Sequence, residues 1–307
     1  MITFQNPNLF TGNPLNRAGV LRKNKGWVDR QREHQHAKFL PFLKGEPLLT
    51  RGDTQSSLTW LDHAALPSLA LGEEPILLGL KEDVPHWAFA VSEEDAPHFA
   101  TLGQFTNLRG AAAYLSLSEA AIAGQAAWLL DWHRRHQFCA RYGGKTILAE
   151  GGFKRINPET GTEHFPRTDP VAIMLPLHQD QVCLGRSPHF PEGMMSAFAG
   201  FVEPCETLEE CAAREIYEEV GLTATCVEYV FSQPWPFPAS LMSGFFVETT
   251  GRELTLDPTE ITEARWFSTK EAKALIAGEI EGLFCPPPFA IAHQLLKAWL
   301  ARYASAG

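Results

Sequence analysis

Apolar residues recur along this chain with two periods. In "SLSEAAIAGQAAWLLDWHRRH", Ile122, Ala126, Leu129 and Leu130 fall three, four and seven positions apart, which lines one face of a helix. Ser116 and Glu119 supply a capping box at its start, so the stretch predicts a helix that closes an N-terminal domain. Shorter runs rich in β-branched and aromatic residues predict strands. They are "LTWLDHAAL" from residue 58, "PILLGLKEDVPHWAFAV" folded at the polar turn Lys81 to Asp83, and then "VAIMLPL", "QVCLG", "SAFAGFV", "TCVEYVF", "LMSGFFVET" and "ARWF". A last helix is expected from about Phe289 to Tyr303. Between the two sets, residues 138–168 are rich in Gly, Pro and Thr and read as a small knuckle. Strands surrounding helices without a regular βαβ alternation predict an α+β fold. The expected division is 1–135, 136–168 and 169–307.

Composition narrows the function. The chain has 307 residues, 45% of them hydrophobic, and a formal charge of −10. A general DNA, RNA or anionic-membrane surface needs clustered Lys and Arg, so DNA and membrane partners are not expected. An acidic protein that handles phosphates needs metal ions instead. One basic interval stands out, Arg17, Arg22, Lys23, Lys25, Arg30, Arg32 and Lys38. It reads as a solvated lead-in segment, with a local patch for a polyanion as the sharper alternative. Six cysteines without a C-x-x-C pair suit reduced thiols. The start lacks a basic, apolar leader, no run approaches 18 apolar residues, and "YASAG" is no peroxisomal address. A soluble, cytoplasmic protein is expected.

The chemistry concentrates in "GFVEPCETLEECAAREIYEEVGL", residues 200–222. Thr207 and Glu210 form a second capping box and Gly221 suits a helix C-cap. Within that helix Glu215, Glu218 and Glu219 share one face, where like charges repel. A cation between them would resolve the conflict, and Mg²⁺ or Mn²⁺ favours hard carboxylate oxygens. Arg214 would pair with and orient a neighbouring glutamate. Gly200, Glu206, Arg214, Glu215, Glu218, Glu219 and Gly221, with apolar Ile216 and Leu222, match G-x5-E-x7-R-E-U-x-E-E-x-G-U without departure. The chain therefore resembles the Nudix hydrolases. That resemblance implies a mixed β-sheet sandwiched by helices, with Glu215, Glu218 and Glu219 holding metal together with the carbonyl of Ala199. It also implies a further carboxylate before "ARWF", for which Glu260 matches better than Glu263, expected to face solvent. Glu218, Glu219 and Arg214 are the catalytic candidates, and which glutamate acts as base stays open.

A second motif, "SQPWPFPAS" at 232–240, places prolines at alternate positions. They restrict the backbone and present Trp235 and Phe237 stiffly, as suits stacking on flat bases. It resembles the signature of NADH pyrophosphatases, as do "HFPRTDP", "AGFVE" and "PPPFAIA". The likeness is good over about 105–302 and weak before. It implies an N-terminal α/β domain and a homodimer. It further implies that Phe165 and Phe201 flank a base, with Phe165 borrowed from the partner. Gln233, Pro234, Trp235, Pro236, Phe237, Pro238, Ala239 and Ser240 would line a dinucleotide, and Ala292 would contact it. The implied reaction is hydrolysis of NADH, and less well NAD⁺, to nicotinamide mononucleotide and AMP. Removal of an NAD cap from RNA is the first alternative, ahead of an ADP-ribose hydrolase and a non-catalytic nucleotide sensor.

One departure matters. The family's knuckle holds zinc with two C-x-x-C pairs, and the matching positions here are Cys139, Tyr142, Asn157 and Thr160. One thiolate cannot make a structural zinc site. A substitute set of His133, His136, Cys139 and His164 is disfavoured because the first two fall on the preceding helix. No zinc is expected.

Overall fold

The structure, a computed structural model, describes residue 6 and residues 8–51, 56–66 and 74–304. Contacts divide it into two units, one built from Phe10–Arg167 with Trp235–Ala239, the other around Thr168–Pro234 and the chain from Ser240 onward. The knuckle groups with the first unit. No helix among the described residues is long and apolar enough to cross a membrane.

The N-terminal unit contains α1 (Lys25–Arg32), β1 (Lys38–Leu43), β2 (Glu46–Arg51), β3 (Ser56–Leu58), β4 (Ile76–Lys81), β5 (Val84–Val91), β6 (Gln104–Phe105), α2 (Leu108–Ala111) and α3 (Leu117–Arg135). Its sheet runs β3-β2-β1-β5-β4, with β6 on β2. The cations of the basic interval stay on the surface and α1 buries none of its residues, but the strand that follows was not among the expected elements. Residues 38–43 form the central strand, parallel to β5, and Phe39, Leu40 and Phe42 are almost wholly buried. After Lys38 the run "FLPFL" is continuously apolar, the pattern of a strand covered on both faces. The strand expected over 58–66 shrinks to the end of β3 and a bridge from Leu61 to Phe39. Glu82 and Asp83 both take positive φ, forming the tight two-residue turn that a hairpin's twist favours. Helix α3 carries the expected capping box and buries Ile122, Ala126 and Leu129.

The knuckle is a three-stranded antiparallel sheet of β7 (Ile147–Ala149), β8 (Lys154–Ile156) and β9 (Glu163–His164). Gly151 and Gly152 have φ of 64° and 96°, and a Cβ on Gly152 would lie 2.6 Å from Ile76 Cγ2. Only glycine lets this turn press so closely on β4. Buried His133 donates from Nε2 to Gly152 O (2.7 Å) and accepts at Nδ1 from Arg155 Nη1 (3.0 Å). Arg155 Nε reaches Thr146 Oγ1 at 2.6 Å. Asn157 Nδ2 donates to Gly143 O at 3.0 Å, while its Oδ1 accepts from the backbone of Glu159 and Thr160. One side chain thus joins the two turns that carry the four family zinc positions.

The second unit contains β10 (Asp169–His178), β11 (Gln181–Arg186), β12 (Phe198–Phe201), α4 (Leu208–Val220), β13 (Ala224–Trp235), β14 (Ser240–Thr249), β15 (Glu263–Ser268), α5 (Thr269–Ala277) and α6 (Ile291–Ala304). The sheet order is β13-β14-β10-β11-β15, with β12 on β10. Strands β10 and β14 run parallel; β10 pairs antiparallel with β11 and β12. Alternation along a strand sends neighbours to opposite faces. Ala172 and Met174 join Phe245, Ile216 and Val220 under α4, whereas Ile173, Leu175 and Leu177 join Phe246, Leu295 and Trp299 under α5 and α6. The mixed sheet is therefore sandwiched by helices, as the α+β expectation has it. Helix α5 was not anticipated, although Ser268 and Glu271 form its capping box and Gly278 its left-handed C-cap.

Burial pushes His133 down to about 4, which outweighs the hydrogen bond to Gly152 O. The unfolded chain protonates this residue near pH 6.5, so below that pH the unfolded state binds the proton first. Stability should fall as pH drops from 6.5 towards 4. His133→Gln should reduce the loss between pH 6.5 and 4.5 by about 2–3 kcal/mol, read from urea melts at both pH values. Identical losses in both proteins would remove His133 as the cause.

Candidate active site

Helix α4 is held at both ends. Glu210 N donates to Thr207 Oγ1 at 3.1 Å, and Thr207 N to Glu210 Oε2 at 2.8 Å. At the other end Gly221 takes φ 72°, and the backbone N–H groups of Gly221 and Leu222 return to Tyr217 O and Ile216 O. This cap satisfies carbonyls that would otherwise lack partners. Between these ends the helix lays Glu215 on β12: a Cβ built on Gly200 would sit 1.8 Å from the Glu215 carboxyl carbon. The glycine is there because the carboxylate occupies the space a side chain would fill.

Arg214 organises the acids. Its guanidinium grips Glu206 through Nε to Oε1 (2.7 Å) and Nη2 to Oε2 (2.9 Å), and its Nη1 donates to Glu215 Oε1 (2.8 Å) and Glu218 Oε2 (2.9 Å). Nη2 also reaches Phe201 O at 3.1 Å. The planar guanidinium offers five N–H donors in a fixed fork, enough for a bidentate grip on one carboxylate and single bonds to two more. The Arg214 hydrogen bonds outweigh desolvation and hold the Glu206 carboxyl down at about 2.

One ligand oxygen each of Glu215, Glu219 and Glu260 lies within 4.8 Å of the others. Glu215 and Glu219 are buried and Glu260 is exposed. Glu219 Oε2 has no hydrogen-bond partner among the described residues. Burial first, then the charges of Glu215, Glu260 and Glu218, push the Glu219 carboxyl up to about 8. An unpaired buried carboxylate oxygen beside two more carboxylates is the donor set a hard divalent cation takes, so the residues present fit a metal. Glu218 stands apart from this cluster, with its side chain 53% exposed and tied to Arg214. Ala199 sits on β12 opposite Ile173, one residue before Gly200. Glu263 is not simply solvated: it pairs with Arg265 and faces Arg186 at 3.8 Å.

The 232–240 stretch divides by role. Gln233 is fully buried; its amide donates to Leu9 O (3.2 Å) and Phe289 O (2.8 Å), and its Oε1 accepts from Ile291 N (2.9 Å). Both donors are spent on backbone, one at Leu9 and one just before α6, so the expected polar handle for substrate is a structural brace. Ala292 likewise packs into the core under α6, and Ser240 is buried where β14 begins. Trp235 and Phe237 pack edge to face at 5.1 Å, with Phe10 5.8 Å from Phe237. Arg109, which no motif marked, lies 4.7 Å from the Phe237 ring centre and 5.5 Å from that of Trp235. Pro236 is buried, Pro234 and Ala239 are half-buried, and Pro238 is exposed. Phe165 and Phe201 are each 62% exposed; Phe165 belongs to the N-terminal unit and Phe201 to the other.

Comparison with known proteins agrees with this geometry. A NUDIX domain model matches residues 167–283, an NADH pyrophosphatase-like rudimentary NUDIX domain matches 36–132, and an NADH pyrophosphatase zinc ribbon domain matches 134–165. The macaque (Macaca fascicularis) NAD-capped RNA hydrolase NUDT12 is 33% identical over 95% of this chain and 73% of its own length. The chain belongs to the NADH pyrophosphatase branch of the Nudix hydrolases. The Nudix hydrolase 19 of Arabidopsis thaliana chloroplasts is 34% identical over 86% of this chain and 76% of that protein. The NAD-capped RNA hydrolase NudC of Mycobacterium bovis is 38% identical over 74% of this chain and 76% of its own.

The zinc ribbon domain matches although Tyr142, Asn157 and Thr160 stand with Cys139 at the ligand positions. Burial pushes the Cys139 thiol up, but the Tyr142 and Arg141 backbone N–H groups, with His164 and Asn157, outweigh it and bring it to about 7. Both His133 nitrogens are engaged, and His136 Nδ1 bonds Trp132 O at 2.8 Å. The substitute set of three histidines and Cys139 is thereby not assembled among the described residues.

Gly200→Ala should displace the Glu215 carboxylate while leaving the sheet folded. The expected result is a fall in kcat/KM of at least about a hundredfold, with a loss of stability of only about 1–3 kcal/mol. Steady-state kinetics beside a thermal melt checks this; unchanged kinetics would mean that the contact with Gly200 does not position Glu215.

Proposed function

We propose that this Nudix hydrolase cleaves the diphosphate of NADH, and less well of NAD⁺, to nicotinamide mononucleotide and AMP. The observation that carries the reading is the buried, unpartnered Glu219 oxygen beside Glu215 and Glu260. In this proposal Glu215, Glu219 and Glu260 hold Mg²⁺ or Mn²⁺, with the Ala199 carbonyl and Glu218 at the margin. Bound metal supplies charge neutralisation on the diphosphate and a more acidic water. Arg214 orients Glu215 and Glu218 through its hydrogen bonds, and Glu219 is the carboxylate best placed to accept a proton. Phe165, Phe201, Trp235 and Phe237 are the aromatic side chains proposed to stack on a base, and Gln233 and Ala292 act as supports within their own unit. A cytoplasmic homodimer in which the partner lends Phe165, and a division at 1–135, 136–168 and 169–307, complete the proposal.

A second reading has the same site removing NAD caps from RNA. It is favoured by the names of two of the relatives above, NAD-capped RNA hydrolases at 33% and 38% identity. Chromatography of products from equal concentrations of NADH, NAD⁺, ADP-ribose and NAD-capped RNA separates the two. Fastest release of AMP from NADH supports the first; cleavage of capped RNA orders of magnitude faster, with steep salt dependence, replaces it.

Glu219→Gln keeps the shape and removes the charge, so turnover with saturating Mg²⁺ should fall by about a thousandfold or more. Full activity in that variant would dismiss Glu219 from the mechanism. We also propose that the knuckle folds without zinc, its turns joined by Asn157 and its base by His133 and Arg155. Elemental analysis of the purified chain should find well under one zinc per protomer, and stoichiometric zinc would overturn this.

A further inference from the structure

A cleft of about 570 Å³ opens in the N-terminal unit between α1, the end of the β3–β4 connection and the knuckle. Its size is that of a small-molecule site. Its floor is apolar, formed by Trp87, Val28, Ile147 and Ile156, and its rim is basic. Three of the rim cations are neutralised within the cleft: Lys25 by Asp29 at 2.8 Å, Arg32 by Glu74 at 3.4 Å, and Lys154 by Glu150 at 2.8 Å. Arg22 and Lys23 also line it, and neither forms an ion pair among the described residues.

Two donors here lack acceptors. Arg22 Nε and Trp87 Nε1 are both buried without a hydrogen-bond partner among the described residues, and Trp87 is only 1% exposed. Buried donors are nearly always paired, so two orphans on one cleft point to a missing ligand. Arg22 is further held by stacking over Phe153, its guanidinium carbon 3.5 Å from the ring centre, and by Nη1 donating to Arg17 O at 3.1 Å. Burial draws its basicity down, and Glu150 offsets this only in part. A partly buried, stationary guanidinium without a carboxylate is a preformed anion receptor.

We propose that this cleft is a second ligand site, taking a phosphate monoester on a flat heterocycle, the chemistry of a mononucleotide. The phosphate sits on Arg22 and Lys23, the ring lies against the apolar floor, and the Trp87 indole N–H meets a ring or sugar acceptor. An inorganic anion alone would leave the apolar floor and the indole donor unsatisfied. The basic interval of the sequence thereby acquires a use that the diphosphatase reading does not give it. The inference is independent of that reading, because it concerns binding without turnover.

Hydrogen exchange of the full chain in EDTA, with AMP, adenosine or inorganic phosphate as probes, tests it. AMP should slow exchange in residues 21–32 and 147–156. Arg22→Gln should weaken that protection by about tenfold in AMP concentration, and Lys23→Gln by about threefold. Arg22 also packs on Phe153, so if Arg22→Gln melts early, Lys23→Gln on its exposed side chain decides. Protection confined to 198–220 and 232–240, equal protection by adenosine, equal affinity for inorganic phosphate, or wild-type affinity in both variants would each overturn the site as described.

Discussion

The placement of one carboxylate against the Cα of one glycine governs the catalytic unit. Glu215 occupies the volume that any side chain at position 200 would need, so α4 can lie against β12 only with that glycine beneath it. The same contact buries Glu215, and burial of a carboxylate is costly unless something compensates. Arg214 compensates from one side, gripping Glu206 bidentately and sharing Nη1 between Glu215 and Glu218. The other side is left to Glu219 and Glu260, which add charge of the same sign. An array that repels itself in a poorly solvated place stores a demand for a cation, and the hydrophobic cluster under α4 keeps the array from relaxing apart.

The proline-rich stretch solves a different problem. Its ends belong to the sheet and its middle packs with the N-terminal unit. Gln233 anchors one end by surrendering every polar group to backbone, which costs the loop a ligand contact but fixes where it leaves β13. In the middle, Gly124 sits inside α3, where glycine lowers helix stability by about 1 kcal/mol. A Cβ there would lie 2.9 Å from Phe10 Cδ1 and 3.3 Å from Pro236 Cγ. The helix accepts that loss so that Phe10 and Pro236 can approach, and Phe10 in turn abuts Phe237, over which Arg109 lies.

Buried polar side chains tie the small sheet of the knuckle together. Arg155 and His133 are both buried, a combination that would be unfavourable were the imidazole charged as well as the guanidinium. Burial keeps the imidazole neutral, which leaves Nδ1 free to accept from the guanidinium. Asn157 links two turns distant in sequence, each of its hydrogen bonds contributing about 1 kcal/mol net.

Capping boxes, the helical placement of three glutamates, the strand alternation of the C-terminal half and the stiffness of the 232–240 stretch are local properties, and the sequence by itself determined them. Each depends on residues within a few positions of one another, where spacing translates directly into geometry. Which acidic groups converge was decided by the tertiary structure: Glu260 is brought to Glu215 and Glu219 across two strands, while Glu218, equally well spaced on the helix, is turned to Arg214. The same holds for the central position of β1 and for Gln233, whose chemistry was consumed by Leu9, Phe289 and Ile291. Spacing names the groups a segment offers. The partners that arrive from distant segments determine which of those groups remain available, because a buried donor or acceptor is satisfied by whatever the fold places within hydrogen-bonding distance.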